Sequence, residues 1–353
     1  MKTDTENLLR LYQHPSIRIG TFPTPIERIE AYASEFGVDL LVKRDDLSGY
    51  GRGGAKTRKL AYLFGWLLDR GYDELITCMG NISNLIFDII PLIREHGIRS
   101  LLLCLDIPRL EREERLLHYN SILPDINLVR DSHAGAAGMA LRAYLRGRLA
   151  GRKPAIVLPG ISHPSAVVGN AMGFVEAVDQ LRRANEEMPD FLFVSGATGT
   201  TVAGYILAER LLHAAGLLHK GVKIVGVQVY PGRIRQFTGF MLNWTARYLG
   251  LPKNHRFEVE RIGWDAGFAG DRFGDYDDFV LSAQTEFQAK TGIFLDPIFS
   301  GKTIAAIKRW LMAKRIPAGS RILFWHCGYT PNWPQLTSLR ERGSTRLCRN
   351  SLA

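Results

Sequence analysis

Cysteine is scarce in this chain. Cys78, Cys104, Cys327 and Cys348 lie far apart and form no C-x-x-C pair, which argues against a disulfide-stapled secreted framework and against a structural zinc site. Reduced thiols in a cytoplasm are expected instead, with no metal. Long hydrophobic runs are lacking too. The best apolar stretch, NLIFDIIPLI (84–93), is broken by Asp88 and Pro91, so no bilayer span and no membrane partner are expected. MKTDTENLLR at the start has no apolar core of the kind a secretory signal needs. Aromatic-interleaved basic runs are also missing. The net charge is +10, yet the Lys and Arg residues are dispersed apart from RGRLAGRK (146–153) and RERGSTRLCRN (340–350). No nucleic-acid partner is expected on that pattern. The surplus charge reads as solvated surface that can draw in a small anion.

What is present is an ordinary globular composition, 46% hydrophobic and 23% charged over 353 residues, enough for a sizeable core in two domains. Short apolar runs alternate with helical patterns. Strands are expected at 39–44, 74–80, 99–106, 155–160, 191–196, 222–230 and 321–328. Behind Lys56, the apolar stripe Leu60, Leu63, Phe64, Leu67 and Leu68 has helical spacing and closes at Gly71. Further helices are expected near 133–150, 166–185, 201–215, 278–291 and 301–314. Such alternation implies an α/β fold of parallel sheets flanked by helices.

Two loops carry chemistry. GYGRGGAKTRKL (49–60) places Gly49, Gly51 and Gly54 at the G-x-G-x-x-G spacing of dinucleotide loops. The preceding strand ends near Arg44, however, and DDLSGY intervenes with two carboxylates that a pyrophosphate would not tolerate. The alternative is a glycine mount for a reactive amine, Lys56, weighed against a solvated surface lysine. FVSGATGTTVAG (193–204) reads as strand, Gly/Thr turn and helix start, a site for a phosphate monoester. It lacks the G-K-[ST] of a nucleotide loop. A turn of this kind is often only a turn, but an amine and a phosphate anchor together suggest pyridoxal 5′-phosphate.

The motifs resemble those of pyridoxal-phosphate enzymes of the tryptophan-synthase-β fold type, in particular the 1-aminocyclopropane-1-carboxylate deaminase and D-cysteine desulfhydrase group. FPTPIERI (22–29), VKRDDLSGYGRGGAKTRKL (42–60), GNISNL (80–85), ATGTTVAG (197–204), GIFLDPIFSGK (292–302) and LFWHCG (323–328) follow in that group's order. The resemblance implies a two-domain body, with residues 1–58 and 173–353 forming a larger cofactor-binding domain and 59–172 a smaller inserted one. It implies that Lys56 carries the cofactor and serves as base. Asn84 would meet the ring hydroxyl, and Ala197, Thr198, Gly199, Thr200 and Thr201 would hold the phosphate. Ser83 would act on the substrate, and a homodimer is expected.

Several positions depart from the group. Phe299 stands in place of a tyrosine that acts near the substrate, and Ser300 in place of an acid facing the pyridine nitrogen. Ala55, Leu85 and Cys327 replace an asparagine, a histidine and a threonine, and HCGYT puts Tyr329 where a glycine is usual. Cys327 or Ser300 would then face the pyridine nitrogen. Tyr329 would supply the missing phenol or cover the cofactor as a lid. His163 approaches the substrate or is a solvated loop histidine, and Asp45 and Asp46 brace the lysine loop. The expected function is a lyase that acts on a small amino acid by β-elimination or deamination, D-cysteine desulfhydrase-like. A cyclopropane-carboxylate deaminase, a β-replacement synthase and a cofactor-binding protein with little catalysis are the alternatives.

Overall fold

Ten strands among the described residues sort into two sheets, of six and four. The computed structural model describes residues 2–51, 53–80, 83, 85–105, 126–129, 133–252 and 257–328. The larger sheet contains β1 (Ile26–Arg28), β2 (Asp39–Lys43), β7 (Phe191–Gly196), β8 (Lys223–Gln228), β9 (Gly263–Asp265) and β10 (Arg321–Trp325), in the order β1-β2-β10-β7-β8-β9. Only its β1–β2 pair is antiparallel. The smaller sheet contains β3 (Glu74–Gly80), β4 (Arg99–Leu105), β5 (Ile126–Val129) and β6 (Pro154–Val157), all parallel, in the order β5-β4-β3-β6.

The strands of the larger sheet read as near-continuous apolar runs because both faces are covered. FLFVSG in β7 is buried at every position. One face packs under α6 (Pro164–Arg183), α7 (Thr200–Ala214) and α8 (Ile234–Tyr248), with Val167, Phe174, Tyr205, Met241 and Trp325 in one cluster. The other packs under α9 (Asp278–Thr291) and α10 (Ser300–Met312), with Phe193, Phe287, Ile307 and Phe324 in a second. A third cluster joins the smaller sheet to α3 (Ala55–Asp69) and α4 (Leu85–Glu95) through Leu60, Phe64, Leu75 and Ile89.

Helix α3 leads into the smaller sheet and α6 leads out of it, and the two pack side by side. Gly169 of α6 has no room for a side chain, since a Cβ there would lie 2.3 Å from the Arg58 carbonyl oxygen. Gly204 of α7 would likewise meet Asn170 at 2.5 Å. These glycines let the backbones approach closely enough for the three helices to form one joint.

The expected strands and helices are observed, with boundaries shifted by a few residues. Elements absent from the expectation are α1 (Lys2–Tyr12), α2 (Glu30–Phe36), α4, α8 and the short strands β1, β5 and β9, whereas α5 (His133–Leu149) was anticipated. The stretch around Asp88 and Pro91 is helix α4. Pro91 sits on its exposed side and Asp88 is buried. No helix among the described residues is long and apolar enough to cross a membrane, and no group of described His, Cys, Asp or Glu side chains could hold a metal ion.

Candidate active site

Parallel sheets gather ligand sites beyond the carboxyl ends of their strands, and the sequence-predicted residues that come together do so there. After β2 the chain makes a short helical turn over Asp45–Leu47 and then runs through Gly49, Gly51, Gly53 and Gly54, all at positive φ. Gly54, at φ +90°, is required by close approach. A Cβ on it would lie 2.0 Å from the Cys327 carbonyl oxygen. The loop therefore lies flat against the end of β10, and the Ala55 N–H donates to that same oxygen at 3.1 Å.

Lys56 follows as the second residue of α3, its Nζ 5.7 Å from the centre of the Phe299 ring. One turn along the same helix face is Lys59, only 8% exposed. Burial, reinforced by the nearby charge of Lys56, lowers its amine to about 8, with Cys327 opposing. Burial, and then Asp45, push the Cys327 thiol up to about 12, against a hydrogen bond from Ser195. The thiol is thus neutral at any ordinary pH.

The turn after β7 builds a hydroxyl cluster at the start of α7. Gly199 caps that helix in the left-handed region at φ +77°, where a Cβ would strike the Thr238 hydroxyl at 1.9 Å. Thr200 Oγ1 lies 3.2 Å from Thr198 Oγ1 and 2.9 Å from Ser162 Oγ. Gly160 packs against the Thr198 methyl, leaving no space for a side chain (2.6 Å). Thr201 is the next helical residue, and Ala197 precedes Thr198 in the turn. Hydroxyls and the first amides of a helix, with its dipole behind them, suit a phosphate dianion.

Phe299 is fixed by Asp296, whose carboxylate accepts the N–H groups of Ile298 (2.8 Å) and Phe299 (2.6 Å). Ser300 is only 2% exposed, and its hydroxyl bonds the same aspartate, donating to Oδ2 at 3.2 Å and accepting from the Asp296 N–H at 2.9 Å. Beyond Phe299 an edge-on contact reaches Phe273 at 5.8 Å, and Phe273 in turn meets Tyr230 at 5.8 Å. Ser83 lies at the end of β3, where its N–H donates to the Gly80 carbonyl and its hydroxyl accepts from the Leu85 N–H at 3.3 Å, opening α4. His163 caps α6 through Nδ1, which accepts from the Ser165 N–H, and its ring stacks on Trp66 at 4.0 Å with Trp244 and Tyr248 around it. Burial, then the neighbouring His14, lower it to about 3, so it is neutral in that aromatic nest. Asn84 and Tyr329 lie outside the described residues.

Residues 17–328 match the family model described as pyridoxal-phosphate dependent enzyme. The chain belongs to that family. It is therefore a pyridoxal-phosphate-dependent enzyme, and its α/β architecture is tryptophan-synthase-β-like. The 1-aminocyclopropane-1-carboxylate deaminase of Variovorax paradoxus is 28% identical to it over 330 residues, covering 88% of this chain and 92% of that one. The enzyme of the same name from Pseudomonas syringae pv. tomato is 27% identical over 349 residues, covering 92% and 96%. A crystal structure of an ACC deaminase homologue superposes with a TM-score of 0.78 at 24% identity, covering 94% of this chain and 98% of that one. A fungal L-serine ammonia-lyase from Rhizomucor miehei superposes with a TM-score of 0.62 at 13% identity, covering 93% and 99%.

The donor set fits the cofactor: a lysine on a glycine mount, a neutral thiol at a strand end, and a cluster of threonine and serine hydroxyls at a helix start, held in place by Gly199 packed on Thr238 and Gly160 packed on Thr198. Lys59, Ser162, Ser195 and Phe273 escaped the sequence reading. Helical spacing from Lys56 marks Lys59. Ser162 stands beside a residue already singled out. Nothing local marks Ser195 or Phe273, which sit at a strand end and in a loop.

Proposed function

We propose that this enzyme is a lyase acting on a small amino acid by β-elimination or deamination, close to D-cysteine desulfhydrase in reaction class. The supporting observation is the Lys56 amine poised over Phe299, at a site shared with the neutral Cys327 thiol. In this reading Lys56 bears pyridoxal phosphate, Ala197, Thr198, Gly199, Thr200 and Thr201 hold its phosphate, Asn84 meets the ring hydroxyl, and Cys327 faces the ring nitrogen. When bound, the cofactor supplies an electron sink for the bond broken at the substrate's α-carbon.

The chain's own groups do the rest. The Lys56 amine would remove the substrate's α-proton as general base, for which it must be neutral. The Ser83 hydroxyl binds the substrate carboxylate or passes a proton, and Tyr329 serves as a second phenolic donor or as a lid. Phe299 offers only an apolar face. Ser300, engaged with Asp296, supports the Phe299 turn, and His163 contributes from behind through the start of α6. Ring opening of a cyclopropane amino acid is the second reading, favoured by the names of the curated relatives. The domain division at 59–172, a homodimer and a cytoplasmic location belong to the same proposal. Sedimentation as a monomer at micromolar concentration would remove the homodimer.

The test is incubation of cofactor-loaded protein with a panel of D- and L-amino acids and with the cyclopropane amino acid. Release of ammonia and a 2-oxo acid from a β-substituted amino acid is expected. Spectral change with no product from any of them would refute a lyase.

A further inference from the structure

Behind Lys56 lies a buried ionic network that the reaction does not touch. On a helix turning 100° per residue, Arg58 points to the side opposite Lys56. Its guanidinium donates to both oxygens of Asp45 (2.8 and 3.0 Å) and to both oxygens of Glu176 (2.8 and 2.9 Å). Asp45 is fully buried and also accepts from the Thr24 hydroxyl and the Trp325 indole, each at 2.8 Å. Glu176 Oε1 accepts from Lys43, itself fully buried, at 2.6 Å and from the Thr24 N–H at 3.0 Å.

The charges of Lys43, Arg58, Asp45 and Glu176 cancel, which makes the cluster tolerable in the interior. It spans both halves of the fold. Lys43 ends β2, Asp45 opens the glycine loop, Arg58 sits in the first turn of α3, and Glu176 lies on α6, the helix returning from the smaller sheet. Alpha-6 is shaped for it. A Cβ at Gly173 would lie 2.8 Å from Arg58 Cδ, and one at Gly169 2.3 Å from the Arg58 carbonyl oxygen. On the loop side, the Gly54 N–H donates to the Asp45 carbonyl at 2.8 Å and the Ala55 N–H to the Cys327 carbonyl at 3.1 Å. The ionic network adds the hold from the helix side, through the residue two places beyond the lysine.

We propose that Glu176 is a positioning residue for Lys56. By neutralising Lys43 and Arg58 together, it locks the first turn of α3 to β2 and α6 and aims the lysine into the cleft. This rests on Lys56 being the cofactor-bearing lysine. Glu176→Gln keeps the shape and removes the charge. Lys43 and Arg58 are then left with Asp45 as their one anion within the network, and the guanidinium swings toward it, turning the start of α3.

The test uses full-length protein loaded with pyridoxal phosphate, compared at equal folded fraction and saturating cofactor. Borohydride reduction and peptide mapping should place the cofactor on Lys56 in both the unaltered and the Glu176→Gln proteins. In Glu176→Gln the visible circular dichroism of the lysine-bound cofactor and its rate of capture by hydroxylamine should each change by about twofold or more, well within the up to about 10²-fold that misplacing a reacting group by about 1 Å can cost in rate. Glu176→Asp should recover part of both signals. Should Glu176→Gln fail to fold, Gly173→Ala displaces the Arg58 side chain with every charge kept and should give the same two changes. A folded variant with dichroism and capture rate indistinguishable from the unaltered protein overturns the proposal. Label on another lysine in the unaltered protein overturns the cofactor reading first, and this inference with it.

Discussion

His163 links a sequence expectation to a measurable free energy. Its ring is 6% exposed, stacked on Trp66, and its imidazole is lowered to about 3 by burial and by His14. In the unfolded chain the same group titrates near the ordinary histidine value of 6.5. A folded-state pKa below the unfolded one means that the unfolded state binds more protons between those two values. Stability contributed by neutral His163 is therefore complete above about pH 6.5 and is lost as pH falls toward 3. The full span corresponds to about 5 kcal/mol, and about 2 kcal/mol should already be gone at pH 5.

The window from pH 7.5 to 5 separates this group from the carboxylates. Burial pushes Asp45 and Glu176 up, but Arg58, helped at Glu176 by Lys43, outweighs it and holds both below the ordinary range, so their stabilisation fades only at lower pH. His14, also lowered by burial, contributes with the same sign. His163→Asn keeps a residue able to cap α6 and deletes the titration. Urea denaturation at pH 7.5 and pH 5 should show the unaltered protein losing about 2 kcal/mol more than His163→Asn over that interval. Groups common to both proteins cancel in this difference. Equal losses would refute the burial argument and return the histidine to solvent or to the substrate cleft.

Borohydride should fix the cofactor on Lys56, and Lys56→Ala should abolish that labelling and nearly all turnover, as peptide mapping and product assays will show. Phe299→Tyr adds a hydroxyl at nearly constant volume. It should raise ring opening or D-cysteine breakdown by about 10² if the hydroxyl finds a partner, or cost about 1–3 kcal/mol in urea if it does not. Gly199→Ala forces a Cβ against the Thr238 hydroxyl at φ +77°. It should weaken cofactor retention on dialysis and lower the melting temperature. Arg58→Met leaves Asp45 buried without its cation and should cost about 3–5 kcal/mol by urea denaturation.

The mount was legible in the sequence because its constraints are local. A glycine that must let a carbonyl pass, a lysine at a helix start and threonines at the next helix start all announce themselves within a dozen residues. The alternation of apolar runs and helical stripes exposed the parallel sheets for the same reason. Short edge strands such as Gly263–Asp265 have too few residues to show a period, and α4 hid behind a proline that its exposed side tolerates. The partners of Arg58 were invisible for another reason. Glu176 is 118 residues away in the chain and Trp325 lies still farther along, so only the joining of α3 to α6 brings them together. His163 is the instructive case. A histidine before a proline in a loop reads as exposed, and the aromatic residues that bury it come from α3 and α8.

Chemistry at the site divides along a boundary the structure makes physical. Behind Lys56, Arg58 on the same helix is tied to Asp45 and Glu176 in a buried ionic network. In front of the lysine, the Phe299 ring lies with its centre 5.7 Å from the amine and is backed by Phe273, and neither ring can accept or donate a proton. In the arrangement proposed above, a thiol raised to about 12 would present a neutral partner to the ring nitrogen, where a carboxylate would hold that nitrogen protonated and strengthen its pull on electrons. The weaker pull suits reactions in which a leaving group departs early and disfavours those that need a long-lived carbanion. With Phe299 silent and Cys327 neutral, that proposed arrangement leaves proton traffic to Lys56 and to the Ser83 hydroxyl beyond the end of β3. A substrate whose β-substituent leaves readily asks for no more than that.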